Sequence, residues 1–216
     1  MRKTIILIAL AVFCLTVPAA QATVNKSIRI ADGEHINKNL KSVNGSITIG
    51  EECIIRGKSS TVNGSIRVGS SSEVRTLSTV NGRILVRKNT TVDGRISTVN
   101  GSISCESGVE VEDEIKTVNG SVSLDNTGVF EDVTTNNGQV RVENGSRVGG
   151  DIIIRKNNNP FRFLSFKRKK INIYVTDGSV VRGGIINYDK YKDVKVYLDS
   201  SSRIEGDVEG AKVIRR

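Results

Sequence analysis

Apolar residues recur along this chain with a short, nearly constant step. The first apolar residue after a repeated asparagine falls at Ile28, Ile47, Ile66, Ile84, Ile103, Val122 and Val140, in steps of 19, 19, 18, 19, 19 and 18 residues. From each start, apolar side chains follow at offsets 0, 2, 8 and 12, as in Ile84, Val86, Val92 and Ile96 or Ile103, Cys105, Val111 and Ile115. The alternation at 0 and 2 is that of a strand, whose every second side chain shares a face. The gaps of six and four are corners. After the first residues there is no sustained i, i+3, i+4 stripe, and Val, Ile, Thr, Gly and Asn dominate, which excludes a helical reading. A step this short marks a solenoid with one coil per repeat. Parallel crossovers are right-handed by default, and the 2-6-4 spacing lacks the strict hexads of a left-handed helix. The expected fold is all-β: a single-stranded, right-handed parallel β-helix of about nine coils with a period of 18–19 residues.

The pattern outlasts the repeated asparagine. Ile173, Val175, Val181 and Ile185 fit it, and so do Val196, Leu198, Ile204 and Val208. The last two steps are 33 and 23 residues, so these coils carry insertions of about 14 and 4 residues. A further valine column stands four residues before the starts, at Val24, Val43, Val62, Val80, Val99 and Val118.

The polar half of the repeat is the phrase T-V-N-G-S-I, complete at Thr61–Ile66 and Thr98–Ile103. Asn and Gly both tolerate positive φ, so the pair is expected to make a sharp bend. Stacked coils place Asn25, Asn44, Asn63, Asn81, Asn100, Asn119 and Asn137 about 4.8 Å apart, where amides form a ladder. The hydroxyl column Ser42, Thr61, Thr79, Thr98, Thr117 and Thr135 is expected to do the same. Asn44, Asn63, Asn100, Asn119 and Asn144 are among the asparagines that head N-x-S sequons, the alternative being glycosylation. The turn phrase generates four of these sequons automatically, which favours the structural reading.

Residues 1–22 read as a secretory signal peptide: Arg2 and Lys3, an apolar stretch Ile5–Val17, and the Ala20-Gln21-Ala22 cleavage site. The domain then spans 23–216, exported to a periplasm, cell surface or beyond. Bulky Phe13 before Cys14 disfavours a lipoprotein. Cys53 and Cys105 lie three coils apart in different columns, about 14 Å, which is beyond disulfide reach. Cys105 fills a core column.

Removing Arg2 and Lys3 leaves 30 basic residues against 23 acidic ones, a net +7. Seven of those basic residues sit in one acid-free insertion, residues 155–170: Arg155, Lys156, Arg162, Lys167, Arg168, Lys169 and Lys170. The rest of the mature chain sums to zero, so the high pI does not signal a nucleic-acid partner. The insertion also holds Phe161, Phe163 and Phe166, three of the chain's five phenylalanines. Basic residues interleaved with aromatic ones suit an anionic envelope surface, a membrane surface or an acidic partner. The alternative is that the rings fold back on the solenoid.

Repeated T-V-N-G-S-I phrases with V-x-G-x-I segments between them, as at Val92–Ile96, Val148–Ile152 and Val181–Ile185, resemble a bacterial adhesin-like family of exported β-solenoid domains. The V-x-G-x-I segments are also similar to bactofilins, which polymerise end to end. The leader departs from bactofilins, most of which are cytoplasmic. Neither likeness implies catalytic residues or a cofactor.

Signals for chemistry are thin. His35, the only histidine, stands beside core Ile36 and is expected to face solvent. One acidic stripe is expected to stack Glu112 on Glu131 and Asp113 on Asp132, with Asp93 a coil earlier. It suits either a Ca²⁺ ion or a solvated face paired with arginines. No capping helix is visible at either end, so either the basic insertion and the Tyr188-Asp189-Lys190-Tyr191 loop cover the C-terminal end or coils associate head to tail, and the second is the expectation. The sequence therefore points to an exported, non-enzymatic, adhesin-like structural or surface-interaction protein. Membrane-surface binding through residues 155–170 is the first alternative, and a carbohydrate-active β-helix enzyme the second.

Overall fold

The structure, a computed structural model, describes residues 21–156 and 169–216. The chain winds as a parallel β-solenoid of about nine coils, each with three short strands on three faces. The first face is a ten-stranded sheet running from Ile28–Ile30 to Lys212–Arg215. The second has nine strands, from His35–Ile36 to Arg203–Ile204. The third has ten, from Gln21–Thr23 to Val208–Glu209. All pairings are parallel, and the apolar starts align coil on coil: Ile28 on Ile47, Ile66 on Ile84, Val140 on Ile173, Val196 on Val213.

The offsets 0, 2, 8 and 12 are the inward columns, and nearly every member is fully buried. Adjacent coils bury one another's aliphatic side chains, so the core extends coil by coil. Ser59 breaks the third-face column, standing between Leu40 and Leu77. It is 1% exposed and its hydroxyl has no hydrogen-bond partner. Burying an unpaired hydroxyl costs free energy that an aliphatic group avoids. Ser59→Val is expected to raise stability by about 1–2 kcal/mol, read as a higher urea midpoint. An unchanged or lower midpoint would show that the hydroxyl is not a liability.

The valine column turns outward. Val43, Val62, Val80 and Val99 are 38–42% exposed and Val24 is 66% exposed. Val43, Val62, Val80 and Val99 follow buried Ser or Thr on the third face, so strand alternation directs them to solvent.

The corners divide the backbone work differently from the sequence expectation. Positive φ occurs after the first face in each of the first eight coils, at Gly33, Glu52, Ser71, Asn89, Gly108, Asn126, Asn144–Gly145 and Asp177–Gly178. None of the Asn-Gly pairs of the repeated phrase does. Their glycines serve close approach instead: a Cβ on Gly82, Gly101, Gly120 or Gly138 would lie 1.6–2.0 Å from the glycine carbonyl oxygen one coil below. The Ser/Thr column of the phrase is likewise corrected. These side chains are buried, and five of them donate to a backbone carbonyl below rather than to one another, as Thr61 Oγ1 does to Gly45 O (2.7 Å) and Thr98 Oγ1 to Gly82 O (3.1 Å).

The insertion is shorter than the sequence break implies. Arg155 N–H still donates to Thr135 O (2.9 Å), and Lys169–Val175 is already a strand. That strand pairs with Lys192–Leu198 over seven residues. Both insertions leave at the corner between third and first faces, the place where the T-V-N-G phrase stands in earlier coils.

Candidate functional site

The seven phrase asparagines form one ladder on the exposed corner. Each side-chain N–H donates to the Oδ1 of the preceding asparagine, from Asn44→Asn25 to Asn137→Asn119, at 2.8–2.9 Å. Their main-chain N–H groups also bond downward, as Asn63 N does to Val43 O (2.7 Å). The ladder thus joins coils twice at each step, and among the described residues Asn137 is its last rung.

The acidic stripe is in a different register from the one expected. Val111 pairs with Val129 and Ile115 with Val133. Glu112 therefore stands beneath Phe130, Asp113 beneath Glu131 and Glu114 beneath Asp132. Asp93 stands beneath Glu112, since Val92 pairs with Val111. The shift arises because the turn through Asn126 is one residue shorter than the turn below it: Cys105 pairs with Leu124, but Glu110 with Gly128. Several carboxylates are engaged locally. Asp113 Oδ1 accepts from Glu114 N (2.6 Å), Asp132 Oδ1 from Asp151 N (2.8 Å), and Glu114 pairs with Arg95 (3.3 Å). Among the described residues no group of three or more acidic, His or Cys side chains gathers to hold a metal ion.

His35 is exposed. Cys53 and Cys105 are both free and buried. Burial pushes the Cys105 thiol up to about 12, which keeps it protonated and unreactive at neutral pH.

Of the insertion residues, Phe161, Arg162, Phe163, Phe166, Lys167 and Arg168 lie outside the described residues. Arg155, Lys156, Lys169 and Lys170 flank them and are all exposed. Tyr188 (62% exposed) joins Ile153, Arg155 and Lys156 around a shallow hollow of about 390 Å³. The second insertion, Tyr188-Asp189-Lys190-Tyr191, folds against this place. Its anchor is a completely buried ion pair, Lys192 Nζ to Asp189 Oδ2 at 3.1 Å. Lys192 Nζ also donates to Asn136 O and to Arg155 O (2.8 Å). The ammonium therefore ties the second insertion to both the last ladder corner and the start of the first insertion. Sequence reading missed this pair, because a Lys three residues after an Asp in a charged loop looks solvated.

A second missed feature lies on the outer first face. Tyr174 and Tyr197 stack at 4.9 Å, with Arg141 over one ring (4.6 Å) and Arg216 over the other (4.7 Å). Aromatic stacking and cation–π contact extend the stack across three successive strands and onto Arg216, just past the end of a fourth. The strand register that aligns them was legible, but the pairing follows only once the insertions are counted out.

No family model, curated protein or solved structure matches the chain. The likeness to adhesin-like and bactofilin repeats thus rests on the sequence phrases alone.

Proposed function

We propose that this protein is an exported, adhesin-like scaffold that acts by binding rather than catalysis, and that it engages an anionic envelope surface through the insertion that interrupts its repeat. The observation that carries this reading is the cluster at the insertion's base. Arg155 and Lys156 are exposed beside Tyr188, Lys169 and Lys170 are exposed on the other side of the insertion, and the buried Asp189–Lys192 pair pins the platform. Cations beside amphipathic aromatic rings suit a surface that is charged outside and apolar beneath. A rigid solenoid holds such a patch at a fixed height and angle, and the ordering entropy is spent on folding rather than on binding.

The flank is favoured over the ends as the working surface. The last first-face strand, Lys212–Arg215, carries Lys212 and Arg215, and the neighbouring edge strands carry Arg203 and Glu209. Charges on an edge strand oppose further strand pairing. That pattern supports a coil end guarded against head-to-tail growth.

Deleting residues 157–168 is expected to leave the far-UV spectrum unchanged and to abolish cosedimentation with phosphatidylglycerol vesicles. The intact chain is expected to bind them at low salt and to lose most binding as salt screens the contact. Equal binding by intact and deleted chains would exclude the insertion as the contact.

A further inference from the structure

At the other end of the solenoid a groove runs along the axis at the corner between second and third faces, with a volume of about 990 Å³ over five coils. We infer that this groove is a binding site for a linear acidic oligosaccharide. It uses none of the insertion residues and goes beyond the reading above.

Four cations line its first three coils: Lys41, Arg56, Lys58 and Arg75. All four are exposed, and among the described residues none forms an ion pair. Arg56 and Arg75 occupy one column in successive coils, because Ile55 pairs with Val74. The four charges spread over two coil steps, about 10 Å along the axis. One wall therefore offers guanidinium groups at about the spacing of stacked strands, close to the length of one sugar unit in an extended chain. Guanidinium binds carboxylate or sulfate through paired N–H donors.

The opposite wall is a row of hydroxyls. Ser60, Ser78 and Ser97 stack coil on coil, and Ser97 Oγ donates to Ser78 Oγ at 3.2 Å. Gly57 and Gly94 narrow the corner between the walls to the single Thr76 side chain that stands between them. No apolar and no aromatic side chain lines the groove. That lining lacks the buried anchors of a protein contact and the stacking platforms of single-stranded nucleic acid. It fits a chain whose own surface is hydroxyl and carboxylate.

The groove also has a direction. Asp93 follows Arg75 in the same column, since Val74 pairs with Val92, and Asp113 lies one coil further. Arg95 between them is already paired with Glu114 (3.3 Å). An acidic chain is thus held over the first three coils and repelled beyond them, which limits the site to a short run of sugars.

The test is calorimetric titration of the full chain with tetragalacturonate, its methyl ester, a heparin-derived tetrasaccharide and oligodeoxyadenylate, repeated with Arg56→Ser/Arg75→Ser. Both substitutions are on exposed side chains, and circular dichroism checks the fold of the variant. Binding of the carboxylated or the sulfated tetrasaccharide, weakened at least tenfold in the variant and absent with the ester, supports the site and tells the two anion types apart. The assignment is overturned if the ester or oligodeoxyadenylate binds as well as the acidic sugars, if the variant binds them unchanged, or if neither acidic sugar binds at millimolar concentration. It is equally overturned if sedimentation shows the chain pairing with itself through this groove, a pairing lost in the variant.

Discussion

Gly101→Ala is expected to lower the thermal midpoint by about 6–12 °C, which corresponds to about 3 kcal/mol in a domain of this size. The added methyl carbon would stand 1.8 Å from Gly82 O and 3.1 Å from Thr98 Oγ1. Backbone cannot rotate aside as a side chain does. That carbonyl is also held by the Thr98 hydroxyl (3.1 Å), and it belongs to a corner repeated above and below. Relief therefore requires separating two coils against their ladder. Gly178→Ala is the internal comparison. Gly178 has φ +75° and nothing within 4 Å of the added carbon, so its cost is the left-handed backbone alone, about 1–2 kcal/mol. Thermal unfolding of the two variants side by side decides the matter. Equal losses would mean that close approach is not why the phrase needs glycine.

Lys192→Met is expected to cost about 3–5 kcal/mol, because it leaves the Asp189 carboxylate buried without its cation. The same change removes the donor that Asn136 O and Arg155 O share, and these part-buried acceptors, left without it, add to the loss. Adding Asp189→Asn to Lys192→Met is expected to recover part of it, since the buried negative charge is gone. Urea unfolding measures the size. Hydrogen exchange is expected to locate the loosening in the coils around the insertions while the Asn-ladder coils stay protected. A loss below about 1 kcal/mol, typical of a solvated pair, would contradict the anchoring role.

The coil itself was legible because it follows from burial alone. A core built of stacked columns forces apolar residues to fixed offsets, and Ile84, Val86, Val92 and Ile96 show those offsets without any knowledge of neighbours. The asparagine ladder was legible for the same reason: identical residues in identical places must stack. What the sequence hid depends on the coil beneath. Whether Gly101 serves a bend or a close contact is decided by Gly82, one coil away. The register of Glu112 and Asp113 was set by a missing residue in the turn near Asn126, on a different corner. Val62 looks like core in a one-dimensional pattern, but it follows inward Thr61 and so faces out.

The candidate sites divide in the same way. The insertion announced itself by composition, since charge and phenylalanine concentrate where the repeat fails. Its anchor did not, because Asp189 and Lys192 look like any other loop charges until both are found without exposure. The axial groove was invisible for a further reason. Its cations come from three separate coils, and no local stretch of sequence is unusually basic there.

The repeated phrase holds the coil, and the envelope-binding surface proposed above lies where the phrase is interrupted. Vesicle cosedimentation of three chains tests that division most directly: the intact protein, the 157–168 deletion, and a ladder variant with Asn81→Ala and Asn100→Ala, all at low salt. Binding is expected from the intact and ladder-variant chains and not from the deletion. Loss of binding in a folded ladder variant, with binding retained by the deletion, would contradict it.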